Sequence, residues 1–386
     1  MANVALFIFG INDLKGGGGA ERFFADFFDI YNKEQQKHRL FYIIDELSIN
    51  NLKRVNKLKC TNNLLQFKII SNRFKSILEF LQIVKFILIN RIKLIHIPLY
   101  SISYVPLIKK LNGLPGIIRP KIVINIVNCY APIALADSEH PQHKGMTATY
   151  EPLFSKVKID GYFCWNQNFV DYYSKLNIRH KTKKLFAIKS RFSDTGKFKP
   201  EQKSNTIVFA SRLDVQKRPD WFIKAIGILK QNHVEAINNW KFIISGEGPL
   251  KEQLLNDSKL VGLENILEFK TEGELWRLLN YSKVYVSCQD YENFPSLAMA
   301  EAMASGNAII TRGVGQTELF VKNNVNGLIV KKDSPEGLAE SILEYISHPS
   351  LHNLYMNESL RLIKEVHNPD NFIAQIDKFW SEVIDG

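Results

Sequence analysis

Short apolar runs of strand length alternate with helix-periodic stretches along the chain, and this alternation limits the fold more than any other feature. Asn3–Phe9, Leu40–Ile44, Phe67–Ile70, Leu94–Ile97 and Ile122–Val127 read as strands. Further along, Thr206–Ala210, Trp240–Ser245, Ile266–Phe269, Val284–Cys288 and Ala308–Thr311 read the same way. Between them, Ala20–Tyr31 carries Phe23, Phe24, Phe27, Phe28 and Tyr31 at helical packing distance, and Pro219–Leu229 spaces Phe222, Ile226 and Leu229 likewise. Strands joined by helices predict an α/β class with doubly wound parallel sheets, which bind ligands at the strand carboxyl ends. At 386 residues the chain is natural for two such domains. The expected domains are residues 1–190 and 200–365. Lys183–Ser204, rich in Lys and Ser and without periodicity, reads as the linker.

The stretch Ser287–Leu319 holds the densest chemistry. Glu292 and Glu301 flank the turn-forming Asn293-Phe294-Pro295-Ser296. A run of helix formers, Leu297–Ala304, stops at Ser305-Gly306. Pro295 reads as an early-helix residue and Gly306 as a terminator. The loop before such a helix exposes backbone N–H groups, which attract anions such as phosphate. Glu301 lies inside the helix, and a carboxylate accepts two hydrogen bonds at once, as the vicinal hydroxyls of a ribose require. Upstream, Arg212 and Lys217 fall in the connection after the strand Thr206–Ala210. Both residue types suit phosphate, Arg as a planar fork and Lys as a point charge. Gly246-Glu247-Gly248-Pro249 forms a glycine loop after another strand. Taken singly, each of these also reads plainly, as surface glutamates at a helix start or as solvated loop cations.

Together they resemble the donor-site signature of retaining glycosyltransferases of the GT-B fold, family 4, the glycosyl transferases group 1. The resemblance is good over roughly residues 195 to 365 and only in outline before that. It implies two Rossmann-like domains facing a cleft, the first for an acceptor and the second for a nucleotide sugar, with the C-terminal helix (371–386) crossing back to the first. That helix carries Phe372, Ile376, Phe379 and Trp380 on one face. The resemblance further implies that Glu301 binds the donor ribose and that Pro295, Ser296, Leu297 and Gly246 line the donor. It implies that Arg212 and Lys217 act catalytically on the diphosphate, because cations fixed there stabilise the charge of the leaving group. One spacing departs. The family has seven residues between its two glutamates, and here there are eight. Either the loop bulges and Glu292 keeps the upstream role, or Asn293 takes it.

In the first half the loop after the first strand ends in four glycines, Gly16–Gly19. It is not a dinucleotide fingerprint, and a flexible turn is its plain reading. The resemblance places Gly18 and Gly19 against the donor, with Arg22 and Asn128 on the acceptor side. Asn128 stands where many family members have a His, and Asn cannot take a proton near neutral pH. His96, beside an apolar run, reads as structural. Ala136–Thr149, with His140 and His143, reads as a long surface loop without further metal ligands.

Composition bounds the rest. Residues 1–200 hold 31 Lys+Arg against 14 Asp+Glu, and the remainder 19 against 25, within a net charge of +11. Such asymmetry points to an anionic partner for the first half. A lysine-rich solvated surface is the plain alternative. No nucleic-acid-binding motif is present, so an anionic membrane surface is the favoured candidate and no nucleic acid is expected. No run reaches the length of a membrane span; the longest, Ile77–Ile89, reads as a buried helix with a narrow wet edge formed by Glu79, Gln82 and Lys85. Cys60, Cys129, Cys164 and Cys288 have neither disulfide nor metal spacing. The expectation is a cytoplasmic enzyme, peripheral at the inner face of the membrane, that moves a sugar from a UDP or GDP donor to a glycan, lipid-linked or polyanionic acceptor with retention. No metal and no cofactor are expected, because Arg212 and Lys217 supply the counter-charge. A GT-B sugar-nucleotide epimerase and a catalytically silent GT-B subunit are the alternatives.

Overall fold

The structure is a computed structural model that describes all residues except 10–18, 32–36, 55–62, 68–76, 129–130, 179–180, 183 and 272–274. The chain divides into two compact units: Met1–Lys189 with Pro369–Gly386, and Ser190–Asn368.

The first unit holds a seven-stranded parallel sheet in the order β3-β2-β1-β4-β5-β6-β7. Its strands are β1 (Asn3–Ile8), β2 (Arg39–Asp45), β3 (Leu64–Phe67), β4 (Ile92–Ile97), β5 (Lys121–Ile126), β6 (Gly161–Cys164) and β7 (Leu185–Ala187). Beyond its first residue β1 is buried throughout, as a parallel strand covered by helices on both faces must be. Three expectations are corrected here. β3 begins at Leu64, three residues before the expected Phe67, and residues 68–70 of the expected strand lie outside the described residues. Lys183–Ser204 is no structureless linker, because Leu185–Ala187 pairs with β6 as the edge strand. Ala136–Thr149 is no continuous loop, because helix His143–Ser155 starts within it.

The C-terminal helix Pro369–Asp385 belongs to the first unit. Its aromatic face packs on Phe23, Phe27 and Phe163 through Phe372, and on Phe186 through Phe379. Trp380 donates its indole N–H to His96 Nδ1 at 3.0 Å, and His96 Nε2 meets Asn125 Oδ1 at 2.5 Å. Burial pushes the His96 imidazole down to about 4, so it stays neutral with its proton on Nε2. Gly161 opens β6 directly beneath this helix. A β-carbon there would lie 2.8 Å from both Phe379 and Val383.

The second unit holds a six-stranded parallel sheet in the order β10-β9-β8-β11-β12-β13. Its strands are β8 (Ser204–Ala210), β9 (Lys241–Ser245), β10 (Leu267–Lys270), β11 (Ser282–Ser287), β12 (Ala308–Thr311) and β13 (Gly327–Ile329). The strand order reverses between β8 and β11. In doubly wound sheets the loops leaving such a pair diverge to opposite faces and open a crevice for ligands.

Candidate donor site in the second unit

Three loops leave the carboxyl ends of β8, β11 and β12, and a network of hydrogen bonds joins them. After β8 the chain runs Ser211-Arg212-Leu213 into a 3₁₀ turn, Val215–Lys217. Asp214 caps that turn by accepting the N–H groups of Gln216 and Lys217 at 3.1 and 3.2 Å. Arg218 takes a left-handed conformation, φ 48°, before helix Pro219–Asn232 begins. Arg212 projects outward with a side chain 73% exposed, 3.5 Å from Asp214. Lys217 instead turns inward, and its ammonium donates to Gln289 Oε1.

The glycine loop after β9 braces this turn rather than standing free. Leu213 N–H donates to the Glu247 carbonyl at 2.9 Å, and Leu250 N–H to the Leu213 carbonyl at 3.1 Å. A β-carbon on Gly246 would fall 2.0 Å from the Ser211 carbonyl oxygen, and one on Gly248 2.3 Å from that of Leu213. The backbone of the Arg212 turn therefore fills the space that side chains at 246 and 248 would need. Gly246, expected against the donor, is accounted for by this close backbone approach.

The loop after β11 carries both candidates for the upstream role, Glu292 and Asn293. Helix Leu297–Ala304 is regular and has the bounds read from the sequence. Ahead of it lies a turn where Ser296 N–H donates to the Asn293 carbonyl at 2.8 Å. Ser296 is the N-cap, its hydroxyl accepting Met299 N–H at 3.4 Å. Pro295 thus stands before the cap rather than in the first turn, because Ser offers a capping oxygen that Pro lacks. At the other end Gly306, φ 73°, closes the helix: its N–H reaches the Met303 carbonyl and that of Asn307 the Ala302 carbonyl, both at 3.0 Å.

Asn293 is buried and its amide is fully used. Oδ1 accepts from Ser287 Oγ at 2.9 Å and Gln289 Nε2 at 3.0 Å. Nδ2 donates to the Arg312 carbonyl and to Thr317 Oγ1, both at 2.8 Å. An amide offers two donors and two acceptor sites, so nothing is left for a ligand. In this arrangement the Asn293 amide ties the β11 loop to the β12 loop. Glu292 differs. Its carboxylate accepts the N–H groups of Phe294 at 3.1 Å and Gln316 at 2.6 Å. Burial raises it to about 7, and the backbone N–H groups only partly offset that rise. Glu301 is buried beside Tyr285, whose phenol is pushed up by burial and by the Glu301 charge. The Tyr285 hydroxyl donates to the Ala210 carbonyl at 3.0 Å, at the carboxyl end of β8.

Arg312, at the end of β12, was not singled out by the sequence. Its guanidinium meets Asp333 through Nε at 2.6 Å and Nη2 at 2.8 Å, and donates through Nη1 to Asp290 at 2.5 Å and to the Cys288 carbonyl at 3.2 Å. It also lies over the Trp221 ring, 4.3 Å from the centroid. Asp333 is held below the usual carboxylate range by the Arg312 hydrogen bonds. Asp290 N–H in turn donates to the Gln216 carbonyl at 3.0 Å, one residue before Lys217. One guanidinium thus couples the β12 loop to the turn that carries Lys217. The available signal was a lone Arg after an apolar strand, and its two carboxylate partners stand 22 and 21 residues away in sequence.

The remaining expected residues lie in the first unit. Gly18 is outside the described residues, Gly19 is the first residue of helix Gly19–Tyr31, and Arg22 lies within that helix. Asn128 follows β5, its amide 3.3 Å from Met146 Sδ. His143 bonds the Ala134 carbonyl at 2.8 Å, and no metal-binding cluster occurs among the described residues. Cys164 and Cys288 are buried thiols; Cys60 and Cys129 are outside the described residues.

Residues 190–379 match the family described as glycosyl transferases group 1. Solved structures align over nearly the whole chain. Anabaena HepE in complex with UDP superposes with a TM-score of 0.71 at 15% identity, covering 99% of this chain and 100% of its own. A variant of S. aureus TarM in complex with Fondaparinux, alpha-GlcNAc-glycerol and UDP superposes with 0.70 at 12%, covering 100% of both.

The fold is GT-B. Among curated sequences, this GT-B chain is 26% identical over 205 residues to a Campylobacter jejuni enzyme, covering 53% of this chain and 55% of that one. That enzyme is named as an alpha-1,4-N-acetyl-D-galactosaminyltransferase of a GalNAc-containing diNAcBac-PP-undecaprenol. An uncharacterized glycosyltransferase of Methanocaldococcus jannaschii is 27% identical over 172 residues, 44% of this chain and 43% of its own. The chain spans about half the length of the curated relatives it matches.

Proposed function

We propose that this protein is a retaining glycosyltransferase that moves a hexosyl unit from a nucleotide sugar to a glycan or lipid-linked acceptor in polysaccharide or glycolipid synthesis. The observation that carries the reading is the grouping at one end of the second sheet. Exposed Arg212 and inward-turned Lys217 follow β8, and buried Glu301 stands behind the same strand end beside Tyr285. In this reading the two cations take the diphosphate and hold its growing charge as the glycosidic bond breaks. Glu301 accepts the ribose hydroxyls. Glu292 takes the upstream role, since its carboxylate lies on backbone N–H groups that can be exchanged for a ligand while the Asn293 amide is saturated. The acceptor hydroxyl attacks from the face the diphosphate leaves, and a leaving phosphate oxygen takes its proton. The named ligand of the HepE and TarM structures, UDP, supports UDP-sugars as the first donors to try.

The test is a thermal-shift screen of UDP- and GDP-sugars followed by nucleotide release with and without acceptor. A ligand at a hundred times its dissociation constant adds about 3 kcal/mol of stability. Glu301→Ala should weaken donor binding by about 2 kcal/mol, the loss of a charged acceptor for hydroxyls. Unchanged affinity in a folded mutant rules out the ribose role.

A further inference from the structure

Helix Ile77–Ile89 in the first unit is not the buried helix its sequence predicts. One stripe does enter the core: Ile83 and Ile87 are buried, with Phe80 and Phe86 packed beside them. The opposite stripe is also apolar and faces solvent. Ile77, Leu78, Leu81, Leu88 and Ile89 are between 49% and 73% exposed. They account for five of the sixteen exposed large apolar side chains among the described residues. Scattered exposed apolar residues need no partner, but five gathered on one side of one helix, with only Gln82 and Lys85 between them, mark an interaction surface.

The charge around it identifies the partner. Lys85 is exposed on the helix itself, and Arg91 and Lys93 are exposed just after it in the chain. Lys110 lies over the Phe80 ring, 5.6 Å from its centroid. Glu79 is the one acidic residue of the helix. A thirteen-residue helix is roughly 20 Å long, short of the roughly 30 Å hydrocarbon core, so it lies along a bilayer rather than crossing it. No helix among the described residues is long and apolar enough to cross. An apolar stripe with flanking cations fits an anionic lipid surface, with the side chains entering the acyl boundary and the cations meeting headgroup phosphates. A second copy of the chain would bring two basic faces together, which like-charge repulsion opposes.

We propose that the outer face of helix Ile77–Ile89 docks the first unit onto an anionic bilayer. The inference rests on this surface and does not require the donor chemistry. It is tested on the full chain by co-sedimentation with phosphatidylcholine vesicles with and without phosphatidylglycerol, at low and high salt. Wild type should pellet with the anionic vesicles and be released by salt. The double variant Leu81→Glu/Leu88→Glu should bind about tenfold more weakly, while its circular-dichroism melt stays at the wild-type temperature. Ile77→Ser/Ile89→Ser serves as a gentler second variant and should lose binding in the same direction. Equal pelleting with neutral and anionic vesicles, or wild-type binding by both double variants, overturns the proposal. So does a wild-type dimer that Leu81→Glu/Leu88→Glu splits without changing vesicle binding, because the face then belongs to a second copy. Nucleotide release in solution should be the same in wild type and variant. Its absence from both counts against the transferase reading and leaves the vesicle result to decide the surface.

Discussion

The Glu292 carboxylate receives Gln316 N–H at 2.6 Å and occupies the space over Gly315, where a β-carbon would lie 2.3 Å from Oε2. Gly315 has a left-handed φ of 54°, so the β12 loop both curls under the carboxylate and leaves room for it. Two loops that are 24 residues apart in sequence are thereby joined through one ionisable group.

That contact makes stability depend on pH in a defined direction. Burial raises Glu292 from 4.5 to about 7, so the folded state holds its proton more tightly than the unfolded chain. Stability contributed by the protonated form is therefore complete below pH 4.5 and is lost as pH rises to about 7. Glu292→Gln keeps an acceptor and removes the titration. Urea unfolding should show the variant gaining up to about 3 kcal/mol on wild type between pH 4.5 and 8. A constant difference across that range refutes the shift.

Asn293→Ala should fail by instability. It leaves Ser287, Gln289, Thr317 and the Arg312 carbonyl without their shared partner in a buried place. The expected loss is about 3 kcal/mol, as when a buried hydrogen-bond network is broken. Chemical denaturation measures it. A folded, fully stable Asn293→Ala with abolished donor binding would return Asn293 to a direct role.

Arg212→Ala and Lys217→Ala should each lower turnover roughly 100-fold and combine less than additively, since both act on one leaving group. Arg312→Gln should weaken nucleotide binding through Lys217, because the Asp290–Gln216 link holds that turn. Titration calorimetry on the double-mutant cycle decides this: in the Lys217→Ala background the Arg312→Gln loss should nearly vanish. Full additivity reduces Arg312 to general stability. A chelator should leave wild-type turnover unchanged.

Gly161→Ala should loosen the C-terminal helix from β6, because the new methyl would meet Phe379 and Val383 at 2.8 Å. Overpacking of this kind costs about 1–3 kcal/mol. Val383→Ala in the same chain should recover part of the lost melting temperature. A Gly161→Ala protein as stable as wild type shows that the helix can shift without cost.

Most of the strands and the helix Leu297–Ala304 were legible in the sequence because their signals are local, whereas the short strands β6, β7 and β13, of three or four residues each, gave too little apolar run to be read. A buried parallel strand is a short apolar run, and a helix ends where Ser305-Gly306 supplies the residues that close it. The same locality made Arg212, Lys217, Glu292 and Glu301 visible as a pattern. What the pattern could not rank was Glu292 against Asn293. Their difference lies in Ser287, Arg312, Gln316 and Thr317, which reach them only when β11 and β12 are side by side. Arg312 was missed for the same reason, its carboxylates arriving from two other loops. The helix Ile77–Ile89 was misread in the opposite sense. Apolar content tells that a helix has surface to bury, but whether both faces find a partner depends on how many elements pack against it. Sequence by itself determined most of the longer strands and helices, since backbone preference and apolar runs act over a few residues. Tertiary structure alone decided which side chains are spent on each other and which faces stay open, since those depend on contacts between residues far apart in the chain.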